Sequence, residues 1–92
     1  LPSRIALLKL KLQLLKVSPE EIAELERLTG RDPQVLSSIG NYYLKMGKYD
    51  LAEKYFSEAY SKGVLRAGLQ LAKVYLKESL EEKAENLLKE VY

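Results

Sequence analysis

Residues 36–60 read LSSIGNYYLKMGKYDLAEKYFSEAY. Leu36, Ile39, Gly40 and Tyr43 recur at helical spacing, and Gly47-Lys48-Tyr49-Asp50 then breaks the pattern as a turn. Leu51, Ala52, Tyr55, Phe56 and Ala59 resume it. The stretch therefore predicts two helices joined by a short connection, and Gly63 closes the second. A second unit follows at an offset of 32 residues: Gly68, Leu71, Ala72 and Tyr75 stand where Leu36, Ile39, Gly40 and Tyr43 stood, and Ala84, Leu88 and Val91 where Ala52, Phe56 and Ala59 stood. A recurrence of that length marks a repeat architecture, in which each unit buries its apolar face only against its neighbours.

Punctuation on either side extends the helical reading. Ser18-Pro19-Glu20-Glu21 combines an N-cap serine, proline in the first turn and a capping-box glutamate. Gly30 reads as a left-handed residue past a helix end, and Asp32-Pro33 is a new start. A fifth helix runs from about Val64 to Lys77, and Ser79 caps a sixth. Six helices of roughly 11 to 15 residues on short connections predict an all-α domain of antiparallel neighbours.

LLKLKLQLLK, residues 7–16, is the exception, because it alternates leucine with Lys or Gln as a half-buried strand would. No other segment could pair with such a strand. Leu, Lys, Gln and Ala are strong helix formers, so the stretch reads as a helix. Lys9, Gln13 and Lys16 form one polar wedge; only Arg4 and Lys11 intrude on an apolar face wider than one partner helix needs. A hairpin partner carrying Ile22, Leu25 and Leu28 covers part of that face, and a terminal cap would leave another side exposed or held by a second chain.

Residues 33–92 resemble two consecutive tetratricopeptide repeats, with the large–Leu-Gly–Tyr–Ala–Phe–Ala pattern of that family. The first unit, residues 33–63, fits at nearly every diagnostic position, including the turn Gly47 and the following Tyr49. The second, residues 64–92, keeps Ala72, Tyr75 and Ala84 but has Ser79 for the turn glycine. Residues 1–31 read as a degenerate hairpin: when Ala23 is set against Ala52, Lys11 falls where a small residue belongs. The resemblance implies a right-handed α-solenoid spanning residues 1–92 as one domain. In it Gly40, Ala52, Ala59, Ala72 and Ala84 let paired helices approach, and Tyr43, Phe56 and Tyr75 fill the spaces between them. The tyrosines then read as packing residues and not as a platform for stacking bases.

Composition narrows the function. In 92 residues, 47% of them hydrophobic, there is no His, Cys or Trp, which removes thiolate metal sites, disulfides and the usual nucleophile–base pairs. The reading is a non-enzyme without cofactor or metal. Lysines interrupt every apolar run, so no segment spans a membrane. No uninterrupted apolar core follows Ser3-Arg4 as in a signal peptide, and a chain opening on Leu1 reads as part of a longer protein.

Tetratricopeptide arrays bind peptides or partner helices in a concave groove lined by the first helix of each pair. The resemblance places Ser37, Asn41, Leu44 and Lys45, then Arg66, Leu69, Gln70, Lys73 and Lys77, on that groove. Asn41 matches an asparagine that clamps a terminal carboxylate in some members, although the lysine expected four residues earlier is Ser37. The first helices carry net charges of +4, +1 and +3 and the second helices −3, −1 and −2, so the groove reads as basic and suited to an acidic protein or peptide partner. The alternative is a self-association module using Leu8, Leu12, Leu87, Leu88 and Val91 at exposed repeat ends. Nucleic-acid binding is disfavoured, since no arginine stripe or exposed aromatics interleave the basic residues.

Overall fold

Helix starts are set by local side chains. In the computed structural model, which describes residues 3–78 and 81–91, Ser3 Oγ accepts the Ala6 N–H at 3.1 Å and opens α1 (Arg4–Gln13). Ser18 and Glu21 exchange hydrogen bonds at 3.2 and 3.0 Å in a complete capping box at the start of α2 (Pro19–Leu28). Asp32 accepts the Gln34 and Val35 N–H groups ahead of α3 (Pro33–Lys45). α4 (Tyr49–Ser61) and α5 (Leu65–Lys77) start without a side-chain cap; α6 is Glu81–Val91. Gly47 and Gly63 take φ of +77° and +100° at the turns, where a Cβ would be strained. The leucine–lysine run is helical, as its propensities imply.

Consecutive helices are antiparallel. α3 packs on α4, α4 on α5 and α5 on α6, while α1 lies against both α2 and α3, and α3 also meets α5. The molecule is all-α and elongated, 45 × 24 × 16 Å.

Two apolar cores meet at α3. Leu8, Leu12, Val17, Ile22 and Leu25 close over Val35 and Ile39 on one side. Leu36 joins Ala52, Phe56, Ala59, Ala67, Leu71, Ala72, Val74 and Leu87 on the other. Tyr43 and Tyr55, stacked with ring centroids 5.6 Å apart, pack against both. Phe56 is fully buried, and Gly40 explains how: a Cβ there would sit 2.9 Å from its ring. The small residues Ala52, Ala59 and Ala72 are buried.

Burial corrects the surface expected for self-association. Leu8 and Leu12 are 0% and 3% exposed, Leu87 is buried, and Leu88 packs against the second core. Leu8, Leu12 and Leu87 supply the cores that hold the helices together, while Leu88 is only part-buried. The exposed leucines of α1 and its C-cap are instead Leu7, Leu10 and Leu14. Ala23, set against Ala52 in sequence, is exposed, because α2 packs through Ile22 and Leu25. The expectations for Ser79 and Tyr92, and for the side chains of Ala84 and Val91, lie outside the described residues.

The contact between Gly40 and Phe56 sets a clear expectation. Gly40→Ala gains helix propensity, but the fully buried ring cannot move away, so the variant loses about 1–2 kcal/mol net in chemical denaturation. Adding Phe56→Leu to Gly40→Ala costs less than it costs the parent chain, because the two changes share one contact.

Candidate functional site

α3 has a third side that neither core covers. Gln34, Ser37, Ser38, Asn41, Tyr42 and Lys45 line it, α1 adds Lys9 and Gln13, and α5 adds Arg66 and Gln70. Together they enclose a cleft of about 510 Å³ with Leu12 and Val35 among its apolar lining. Ser38 donates to the Gln34 carbonyl at 3.1 Å, and the Tyr42 hydroxyl donates to the Val17 carbonyl at 3.4 Å, tying this wall to the start of α2.

Five of the residues expected on the groove are brought together here: Ser37, Asn41, Lys45, Arg66 and Gln70. Leu44 packs against the second core, and Leu69, Lys73 and Lys77 are not part of the cleft lining. Lys9, Gln13, Gln34, Ser38 and Tyr42 complete the wall without having been singled out in sequence. The 32-residue register would have found most of them. It aligns Lys9 and Gln13 with Asn41 and Lys45, and Gln34 and Ser38 with Arg66 and Gln70.

The cleft has cations and no carboxylate in its lining. Among the described residues, Lys9, Lys45 and Arg66 have no carboxylate within 4.0 Å. The described ion pairs stand elsewhere and use glutamates of α2 and α4. Arg4 donates to Glu24 at 2.8 and 2.9 Å, and Lys11 to Glu21 at 2.6 Å. The two cations that intrude on the apolar face of α1 therefore serve its partner helix. Arg31 donates to Glu26 at 2.9 Å and to Glu58 at 2.6 and 3.1 Å, joining α2 to α4; Lys62 adds a contact to Glu58 at 3.4 Å. The Tyr55 hydroxyl donates to Glu26 at 3.0 Å, and burial, followed by that carboxylate, pushes its pKa well above the usual phenol range. Tyr60 donates to Glu90, so Glu26, Glu58 and Glu90, spaced by 32, each accept a hydrogen bond from a side chain outside their own helix.

Amide and hydroxyl groups of Gln13, Gln34, Ser37, Asn41 and Gln70 offer both donors and acceptors, and the three cations favour anionic groups. Among the described residues, no group of three or more His, Cys, Asp or Glu could hold a metal ion. None of their helices is long and apolar enough to cross a membrane. No family model matches the chain, and neither curated proteins nor solved structures give a match to it.

The ion pairs imply an acid-sensitive fold. Hydrogen bonds from Lys11, Arg4 and Arg31 hold Glu21, Glu24 and Glu58 below the usual carboxylate range. In the unfolded chain these groups take up protons near pH ~4.3, and in the folded chain at lower pH. Their contribution is thus complete above that value and is lost as pH falls through the folded pKa values. Melting temperature should fall on acidification below pH about 4.5. Glu58→Gln should melt lower than the parent at neutral pH and converge with it in acid, as followed by circular dichroism.

Proposed function

We propose that the chain is a non-catalytic interaction module that takes a short acidic segment of a protein partner in the cleft between α1, α3 and α5. The observation that carries this reading is the convergence of Lys9, Lys45 and Arg66 on a cleft without carboxylates, while the described ion pairs lie on other faces. Side-chain amides on all three helices can bond the main chain of an extended peptide, and the cations select its acidic side chains. A volume of about 510 Å³ suits a few residues and not a folded domain.

The repeat reading supports the same proposal. First helices of successive pairs touch, α1 on α3 and α3 on α5, whereas α2 and α4 are joined by the long side chains of Arg31, Glu58 and Tyr55. A right-handed superhelix of the tetratricopeptide type places its concave face along the first helices, where the cleft lies. Ser37 stands where a terminal-carboxylate clamp needs lysine, so acidic side chains are the better match to this lining.

A titration of short Glu- and Asp-rich peptides, followed by amide chemical shifts, tests the proposal. Perturbations should cluster at Asn41, Lys45, Arg66 and Gln70 and vanish for peptides with Gln and Asn replacing Glu and Asp. Lys45→Glu combined with Arg66→Glu should weaken binding by about tenfold or more, and added salt should slow association. Binding that ignores salt and both substitutions, or shifts confined to other faces, overturns the reading.

A further inference from the structure

The chain itself shows how one helix pair docks on the next. Val35 and Ile39 of α3 share a core with Leu8 and Leu12 of α1, and Tyr42 of α3 and Ile5 of α1 pack against it. Thirty-two residues on, Ala67, Leu71 and Val74 of α5 take the places of Val35, Ile39 and Tyr42. They are buried in the second core with Leu36, Phe56 and Ala59 of the pair before, and Leu44, at the place of Leu12, packs there too. Each first helix therefore has a rear row, which docks on the pair before it, and a front row, which receives the pair after it.

The same register finds each row once more, uncovered. The rear row of α1 is Ser3, Leu7 and Leu10, prolonged by Leu14, and all four are exposed. The front row of α5 holds Leu69 and Leu76 at the places of Ile5 and Leu12, with Leu65 one turn before Leu69. Leu76 is 52% exposed, whereas Leu12 is 3% exposed, and Leu65 is exposed as well. Of the nine large hydrophobic side chains exposed among the described residues, five stand on these two rows: Leu7, Leu10, Leu14, Leu65 and Leu76. α1 and α5 do not touch within one copy, so the two rows cannot cover each other there.

We propose that a second copy covers them head to tail, with the rear row of α1 in one copy docked on the front row of α5 in the next. The occupant is a second copy because the chain joins a front row to a rear row twice, α1 to α3 and α3 to α5, and has one further row of each kind. The docked helices run parallel, as α1 and α3 do. The contact is heterologous: each added copy brings a new open row, so copies add in series and do not close as a dimer. One like-charge contact weakens it. Lys9 and Asn41 line one cleft, and at the junction the register sets Lys73 at the place of Lys9 and the next copy's Lys9 at that of Asn41.

Sedimentation velocity from low micromolar to millimolar protein should show a monomer passing into a series that extends beyond a dimer. Leu10→Lys and Leu76→Lys should each weaken this at least about tenfold with unchanged melting curves, because neither leucine belongs to a core. Mixed in equal amounts, the two variants should associate again and stop at a dimer, since one keeps its front row and the other its rear row. Lys73→Glu should strengthen association several-fold by facing Lys9 with a carboxylate. Leu51→Lys, at an exposed leucine of the middle pair, should leave it intact. A monomer at every concentration, association that survives Leu10→Lys and Leu76→Lys, equal loss with Leu51→Lys, no gain with Lys73→Glu, or a mixture that stays monomeric each overturns the proposal.

Discussion

Everything in this molecule turns on the approach of the Phe56 ring to the bare Cα of Gly40. A side chain at position 40 would hold α3 and α4 apart, and Phe56 could not be fully buried beneath Leu36, Ala52 and Ala59. With the contact in place, α3 serves two cores, through Leu36 on one side and Val35 and Ile39 on the other. The remaining side, from Gln34 to Lys45, is left to solvent as the wall of the cleft. One helix thus divides its circumference among two packing faces and one wall of a cleft.

Charge follows from the same division. Glutamates of α2 and α4 lie where arginines and lysines from neighbouring helices and loops can reach them, and Arg4, Lys11, Arg31 and Lys62 are engaged there. Exposed pairs of this kind add little stability singly, but they fix where positive charge is neutralised. Lys9, Lys45 and Arg66 line a cleft without carboxylates and take no part in the described ion pairs, so it carries positive potential. The net charge of +2 conceals this separation completely.

Different parts of the structure were legible in sequence to different degrees. The capping box of Ser18 and Glu21, the Asp32-Pro33 start and the turn glycines act within one helical turn, so reading them needs no tertiary knowledge. Asn41, Lys45, Arg66 and Gln70, expected on one groove from the resemblance, line the same cleft. Lys9 and Gln13 were legible only through the 32-residue register that sets them against Asn41 and Lys45, since the first hairpin carries no clear repeat and its facing depends on contact with α3. Lys73 and Lys77 share the helical face of Gln70, yet the cleft stops short of them.

The leucine–lysine run marks the boundary between local and tertiary information most plainly. Its propensities were enough to determine a helix, and its six leucines in ten residues were enough to show more apolar surface than one partner could cover. Which leucines would be covered was another matter. Leu8 and Leu12 are interior and Leu7, Leu10 and Leu14 exterior only because α2 and α3 approach from one side. By itself the sequence determined the helices, their ends and the 32-residue repeat, because capping, turn conformation and apolar spacing are short-range effects. The tertiary structure alone decided which face of each helix met solvent, because burial depends on the mutual placement of elements distant along the chain.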